Sequence, residues 1–276
     1  MVFFGLIEDR HENIFHLSSA ISHTRILLEF EPWQWSLLVL GAVTIGMAKT
    51  GIPGLGIMFV AIFANMMPAK QATGLVLPLL ILADMVAVFL YRRHAVMKHV
   101  IRLIPWTAAG VILGTVALGI IDDRQAKLLV GVILIMMIVF HVGREWGRMG
   151  RKLESEIIDH AVWFAPVMGI VAGFTTQVAN AAGPIMILYL LAMRLPKMEF
   201  MGTGAVYFLT LNIFKVPFMV GLDMITLDSL RINLLLAPAI LVGTLLGRGV
   251  VKRINQVAFQ RLALTLAFIA SINLLL

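Results

Sequence analysis

Hydrophobic positions in this chain do not alternate, and they do not recur on one helical face. They come in long runs at 33–67, 73–91, 103–121, 128–141, 161–193, 205–222, 232–246 and 257–276. About 20 apolar residues are enough for a helix to cross roughly 30 Å of hydrocarbon. The pattern therefore predicts an all-α integral membrane protein of about eight to ten membrane helical segments. Residues 1–32 are mixed and polar, with an interfacial helix expected around 14–30, and 143–160 reads as a hydrophilic linker. The expected organisation is an N-terminal segment (1–32), a first membrane half (33–142), the linker (143–160) and a second membrane half (161–276).

Two runs are too long. As continuous helices, 33–67 and 161–193 would each measure about 50 Å at 1.5 Å per residue. Each is interrupted near its middle, the first by Gly51-Ile52-Pro53-Gly54-Leu55-Gly56 and the second by Thr175-Thr176-Gln177-Val178-Ala179-Asn180-Ala181-Ala182-Gly183-Pro184. Non-helical backbone survives at membrane depth only under a cover of protein or beside a wet cavity. Each run is therefore expected to be two short helices meeting at an unwound tip. Loop charge sets the orientation. Arg92, Arg93, Lys98 and Arg102 fall in 91–102; Arg144, Arg148, Arg151 and Lys152 in 143–160; Arg248, Lys252 and Arg253 in 247–256. If each broken run returns to the side it left, all three basic connections are cytoplasmic and both termini lie outside, as the positive-inside rule requires.

Composition narrows the class further. The 276 residues are 60% hydrophobic and 13% charged, against about 45–50% and 25% for soluble domains. The absence of cysteine excludes disulfides, thiolate metal sites and thiol catalysis. The net charge of +7 sits in short loops, which suits lipid headgroups rather than nucleic acid. The opening MVFFGLIEDR lacks a basic leader with a cleavage site, so no removed signal peptide is expected. No P-loop is present, nor any His-Glu-x-x-His, paired catalytic Asp or Ser/His set at membrane depth; enzymatic activity and cofactors are not expected.

The halves also resemble each other. Pro105 with Gly110-x-x-x-Gly114 recurs 133 residues later as Pro238 with Gly243-x-x-x-Gly247. Met67-Pro68 recurs after 128 residues as Leu195-Pro196, and Thr73-Gly74 after 130 as Thr203-Gly204. A broken hairpin plus three spans reverses orientation, so the two copies would be inverted. Inverted repeats with paired broken helices point to a secondary transporter that binds substrate at the repeat interface.

A broken helix leaves free N–H groups at one half-helix start, where the positive dipole end favours an anion. The polar groups available are Lys49, Thr50, Gly51, Gly54 and Gly56 at the first tip, and Thr175, Thr176, Gln177, Asn180 and Gly183 at the second. A small oxyanion suits them; tight packing of the glycines and snorkelling of Lys49 are the competing reading. Asp84 and Lys215 are the other ionisable groups deep in spans. At the 130-residue shift Asp84 falls beside the counterpart of Lys215, so a structural pair between the halves and a coupling role, with Asp84 carrying a proton, both remain open. His94-x₄-His99 lies in a basic loop and makes a poor metal site; no metal is expected.

These strings resemble the sulfite exporter TauE/SafE family over residues 35–276. The first half matches through Gly51 to Gly56, Met67-Pro68 and Ala72-Thr73-Gly74. The second matches through Thr175 to Pro184, Leu195-Pro196-Lys197, Gly202-Thr203-Gly204 and Asn212-Ile213-Phe214-Lys215-Val216-Pro217-Phe218. Pro53 and Leu55 interrupt the usual glycine run of the first tip. The resemblance implies a permease of the bacterial inner membrane for sulfite, sulfoacetate or related organosulfonates, with export as the expected direction. A passive anion channel and a carboxylate permease of the same architecture are the alternatives. The anion and the lipid bilayer are the expected partners, H⁺ and Na⁺ the candidate coupling ions, a homodimer the candidate assembly, and nucleic acid none.

Overall fold

A computed structural model describes residues 30–120, Asp122, Gln125, Val132 and 163–273. Every extended element among them is helical. In chain order these are α1 (Pro32–Thr50), α2 (Gly56–Met66), α3 (Ala69–Tyr91), α4 (Met97–Leu118), α5 (Phe164–Ala179), α6 (Ala182–Ala192), α7 (Lys197–Gly221), α8 (Leu227–Arg253) and α9 (Gln256–Asn273). The expected interfacial helix at 14–30, the 143–160 linker and, apart from Val132, the 128–141 run lie outside the described residues.

Among the described residues, four helices, α3, α4, α7 and α8, are long and apolar enough to cross a membrane. Helix α8 shows why the environment is lipid. Ile232, Leu236, Ile240, Gly243 and Gly247 are buried, yet the opposite stripe of Leu234, Leu235, Leu241, Val242, Leu245 and Leu246 is exposed and equally apolar. A helix that is hydrophobic all round belongs in a core or a bilayer. Helices run past the apolar segments that predicted them: α4 begins at Met97, so Lys98 and Arg102 lie in its first turns, and Lys252 and Arg253 close the last turn of α8. Backbone pairing must stay internal until the chain clears the hydrocarbon, and cations favour a helix C-terminus.

Both over-long runs are broken where glycine, proline and asparagine interrupt them. Helix α1 stops at Thr50 and α2 starts at Gly56, with Gly54 at φ 97°, a conformation that favours glycine. Helix α5 stops at Ala179 and α6 starts at Ala182, with Asn180 at φ 51° closing the helix in the left-handed region that asparagine tolerates.

The halves interlock crosswise. Helix α1 packs against α8, and α5 packs against α4. Glycines make both crossings close: a Cβ on Gly46 would meet the Ile240 carbonyl and one on Gly243 the Val43 carbonyl, while Gly173 faces the Thr107 carbonyl and Gly110 the Ile170 carbonyl. Small residues let membrane helices approach to backbone contact. Two apolar cores result, one around Leu38, Ala42, Phe63, Leu79 and Leu236, the other around Val111, Ile185, Tyr189 and Tyr207. A polar layer of Lys49, Asp84, Thr176, Asn180, Asn212 and Lys215 gathers around the space between the tips.

Candidate functional site

Helix α1 delivers Lys49 and Thr50 to its broken end on different faces, about 100° apart. Lys49 enters a cavity of about 110 Å³ that is also lined by Pro53, Gly54, Gly56, Thr176, Asn180 and Gly183. Thr50 turns to α8, its hydroxyl 2.8 Å from the Thr244 carbonyl and 2.9 Å from that of Gly46. The Thr50 carbonyl accepts from the Tyr91 hydroxyl at 2.7 Å, which ties the tip to α3. Gly51 has no room for a side chain, because a Cβ there would meet the Gly247 carbonyl.

The second tip divides in the same way. Thr176 and Asn180, four residues apart, share the face that lines the cavity. Thr175 returns its hydroxyl to the Val171 carbonyl at 2.8 Å. Gln177 donates from Nε2 to Thr115 Oγ1 at 2.9 Å and lies against Gly114 of α4. Of the ten residues nominated at the tips, Lys49, Gly54, Gly56, Thr176, Asn180 and Gly183 line the cavity; Thr50, Gly51 and Gln177 face neighbouring helices, and Thr175 bonds back to its own helix. Helical periodicity makes the division, since consecutive residues cannot share one face.

Asp84 and Lys215 do not pair with each other. Asp84 is fully buried on α3; its Oδ1 stands 2.9 Å from Lys49 Nζ and its Oδ2 accepts from Asn212 Nδ2 at 2.7 Å. Lys215, also fully buried, donates to the Thr176 carbonyl at 2.8 Å, to Asn180 Oδ1 at 2.6 Å and to Thr176 Oγ1 at 3.3 Å. Three acceptors match the three donors of an ammonium. These partners have a simple cause: the broken end of α5 exposes carbonyls that attract a cation, while Lys49 brings the carboxylate a partner from α1. Lys49 Nζ also lies 4.0 Å from the centroid of the Phe208 ring, a cation–π contact.

Asn212, which the sequence marks only as part of the 212–218 string, bonds Asp84 and borders the cavity. Phe208, Asn212 and Lys215 follow one another at helical spacing of four and three on α7, so they share a face, a signal legible in the sequence. Asn180 Nδ2 also reaches the Thr73 carbonyl at 3.2 Å, so the second tip is bonded to both α3 and α7. Asp84 and Asn212 also border the cavity, and the rest of its wall is largely apolar, with Phe59, Leu80, Met186, Ile187, Phe200 and Phe208. Gly56, the first residue of α2, and Gly183, the second of α6, face the same space, so two half-helix N-termini open onto it. The arrangement can receive an anion with an apolar portion: one ammonium, the amide of Asn180 and helix-terminal N–H groups at one pole, hydrocarbon and aromatic rings at the other.

Neither the curated proteins nor the solved structures supply a match to the chain. The family model described as Sulfite exporter TauE/SafE matches residues 37–274, spanning both broken helices, the Lys49–Asp84 pair and the Lys215 cluster. With the model covering most of its length, this multi-pass membrane protein belongs to the sulfite exporter TauE/SafE family of transporters.

Proposed function

We propose that the protein is a secondary permease that exports small sulfur-containing oxyanions, sulfite or an organosulfonate such as sulfoacetate, across the bacterial inner membrane. The observation that carries this reading is the convergence of two broken-helix tips on one cavity beside Lys49, Thr176 and Asn180. An ion leaving water for a low-dielectric interior costs many kcal/mol unless it is compensated. Charge-assisted hydrogen bonds, worth about 1.5–3 kcal/mol each, offset that cost.

The two membrane halves are read as inverted copies, each a re-entrant hairpin with three spans, with both termini periplasmic. The crosswise packing supports this. The Gly243–Val43 contact corresponds to Gly110–Ile170, and Gly46–Ile240 to Gly173–Thr107, with α4 residues shifted by 133 and α1 residues by 127 in both cases. The starts of α3 and α7, Ala69 and Lys197, differ by 128, the shift that relates Pro68 to Pro196. At that shift Asp84 corresponds to Asn212, its own hydrogen-bond partner, as expected for residues meeting on a two-fold axis. The 130-residue shift of the Thr-Gly pairs, which set Asp84 near the counterpart of Lys215, is not the one these helix starts follow.

Binding to the folded state raises apparent stability by about 2.7 kcal/mol at a ligand concentration 100 times Kd. Purified protein titrated with sulfite, sulfoacetate, sulfate, taurine and small carboxylates should show a concentration-dependent rise in Tm with sulfite or sulfoacetate. In liposomes the same anion should drive counterflow, which separates a carrier from a channel. A panel in which neither anion shifts Tm or supports counterflow would end this reading.

A further inference from the structure

We propose that Asp84 is a tethered counter-anion: it neutralises Lys49 in the empty carrier and gives way when the transported anion takes Lys49. The idea deepens the anion-site reading above and rests on it. A carboxylate inside an anion site needs a reason, because it repels the ligand. Its geometry supplies one. Asp84 is tethered to α7 by Asn212 Nδ2 on Oδ2 at 2.7 Å. Its Oδ1 is 2.9 Å from Lys49 Nζ, a salt bridge to a side chain that borders the cavity. Lys49 has the open side as well: its side chain is 12% exposed and that of Asp84 is 0% exposed. Lys49, Asp84 and Asn212 all line the cavity.

The charges of this cluster fit the exchange. Two basic side chains, Lys49 and Lys215, stand against one acidic one, Asp84, so the cluster has room for the negative charge of an incoming anion. Lys215 spends its three donors on Thr176 and Asn180. Lys49 is therefore the ammonium that can change partners, between Asp84 and the anion. A displaced Asp84 stays anchored to Asn212, and Lys215, three residues further along the same face of α7, keeps a positive charge nearby. Without Asp84, the empty carrier would hold a buried ammonium with no counter-charge, which is costly. The carboxylate thus weakens binding and makes unloaded return affordable.

The test uses the full-length protein with sulfite and sulfoacetate as probes, by calorimetry in detergent and by flux in proteoliposomes. Asp84→Asn should bind the effective probe at least tenfold tighter than the parent. Its ratio of net efflux to counterflow should fall at least tenfold, because only net efflux needs the empty carrier to return. Asp84→Glu, which keeps the charge, should bind no tighter than the parent. Equal or weaker binding by folded Asp84→Asn overturns the counter-anion role, while the anion site itself stands if the parent binds and Lys49→Met does not. A parent that binds neither probe overturns both. Should Asp84→Asn fail to fold, infrared difference spectra of the parent decide. Saturating anion should shift a buried carboxylate band, and binding with no carboxylate change overturns the proposal.

Discussion

Two lysines sit at the same polar layer and are used in opposite ways. Lys49 projects from the end of a broken helix into a cavity, where its charge is met by one carboxylate and one aromatic face. Lys215 projects from the last third of α7 onto the broken end of α5, where three neutral oxygens accept its hydrogen bonds. One ammonium has a partner that can be exchanged. The other closes a helix terminus and holds Asn180 by its side-chain oxygen. Burial alone does not separate the two, since the more deeply buried lysine is the one whose partners all belong to the broken end of α5; what differs is whether the partners sit on one fixed element.

Replacing each lysine breaks the comparison most directly. Lys215→Met leaves the α5 carbonyl end and Asn180 without their donor and should cost about 3–5 kcal/mol of stability, the scale of breaking a buried charged network; thermal unfolding in detergent measures it. Lys49→Met should lower anion affinity at least tenfold, or about 1.4 kcal/mol, by calorimetry. Its own loss of stability should be recovered in Lys49→Met/Asp84→Asn, which removes the orphaned carboxylate, while affinity stays low. Equal stability losses for the two single lysine variants, unrelieved by Asp84→Asn, would erase the distinction.

Two glycines sharpen the same contrast between structure and site. Gly51→Ala drives a methyl into the Gly247 carbonyl, so stability should fall by about 1–3 kcal/mol. Nothing lies within 4 Å of a Cβ at Gly183, which lines the cavity. Gly183→Ala should therefore keep or gain up to about 1 kcal/mol of helix stability, yet weaken anion binding about fivefold, on the order of 1 kcal/mol. Paired unfolding and binding curves would show opposite losses. The smallest effect belongs to Gln177→Leu, which gives up one bond to Thr115 away from the cavity. Stability should change by about 1 kcal/mol and anion affinity by no more than about twofold, as for sites with no shared partner.

Much of this was readable along the chain. Runs of apolar residues exceeding one bilayer thickness, each split by Gly, Pro or Asn, determined that two helices had to break and roughly where, because hydrogen bonding through a membrane leaves few alternatives. The apolar runs 33–67, 73–91 and 205–222 isolated Lys49, Asp84 and Lys215 as charges needing partners. Which partner each took was decided only by tertiary structure. Asp84 meets Lys49 because α1, α3 and α7 converge there, and Lys215 meets α5 because a broken helix end exposes its carbonyls. The tips likewise named ten candidate residues, but rotation about the helix axis turned Thr50, Gly51, Thr175 and Gln177 toward α8, α5's own backbone and α4. Local pattern sets where a helix stops, since that depends on neighbouring residues; which face looks at the cavity depends on how helices distant in sequence cross, and the Gly46–Ile240 and Gly173–Thr107 contacts determine that only once the chain has folded.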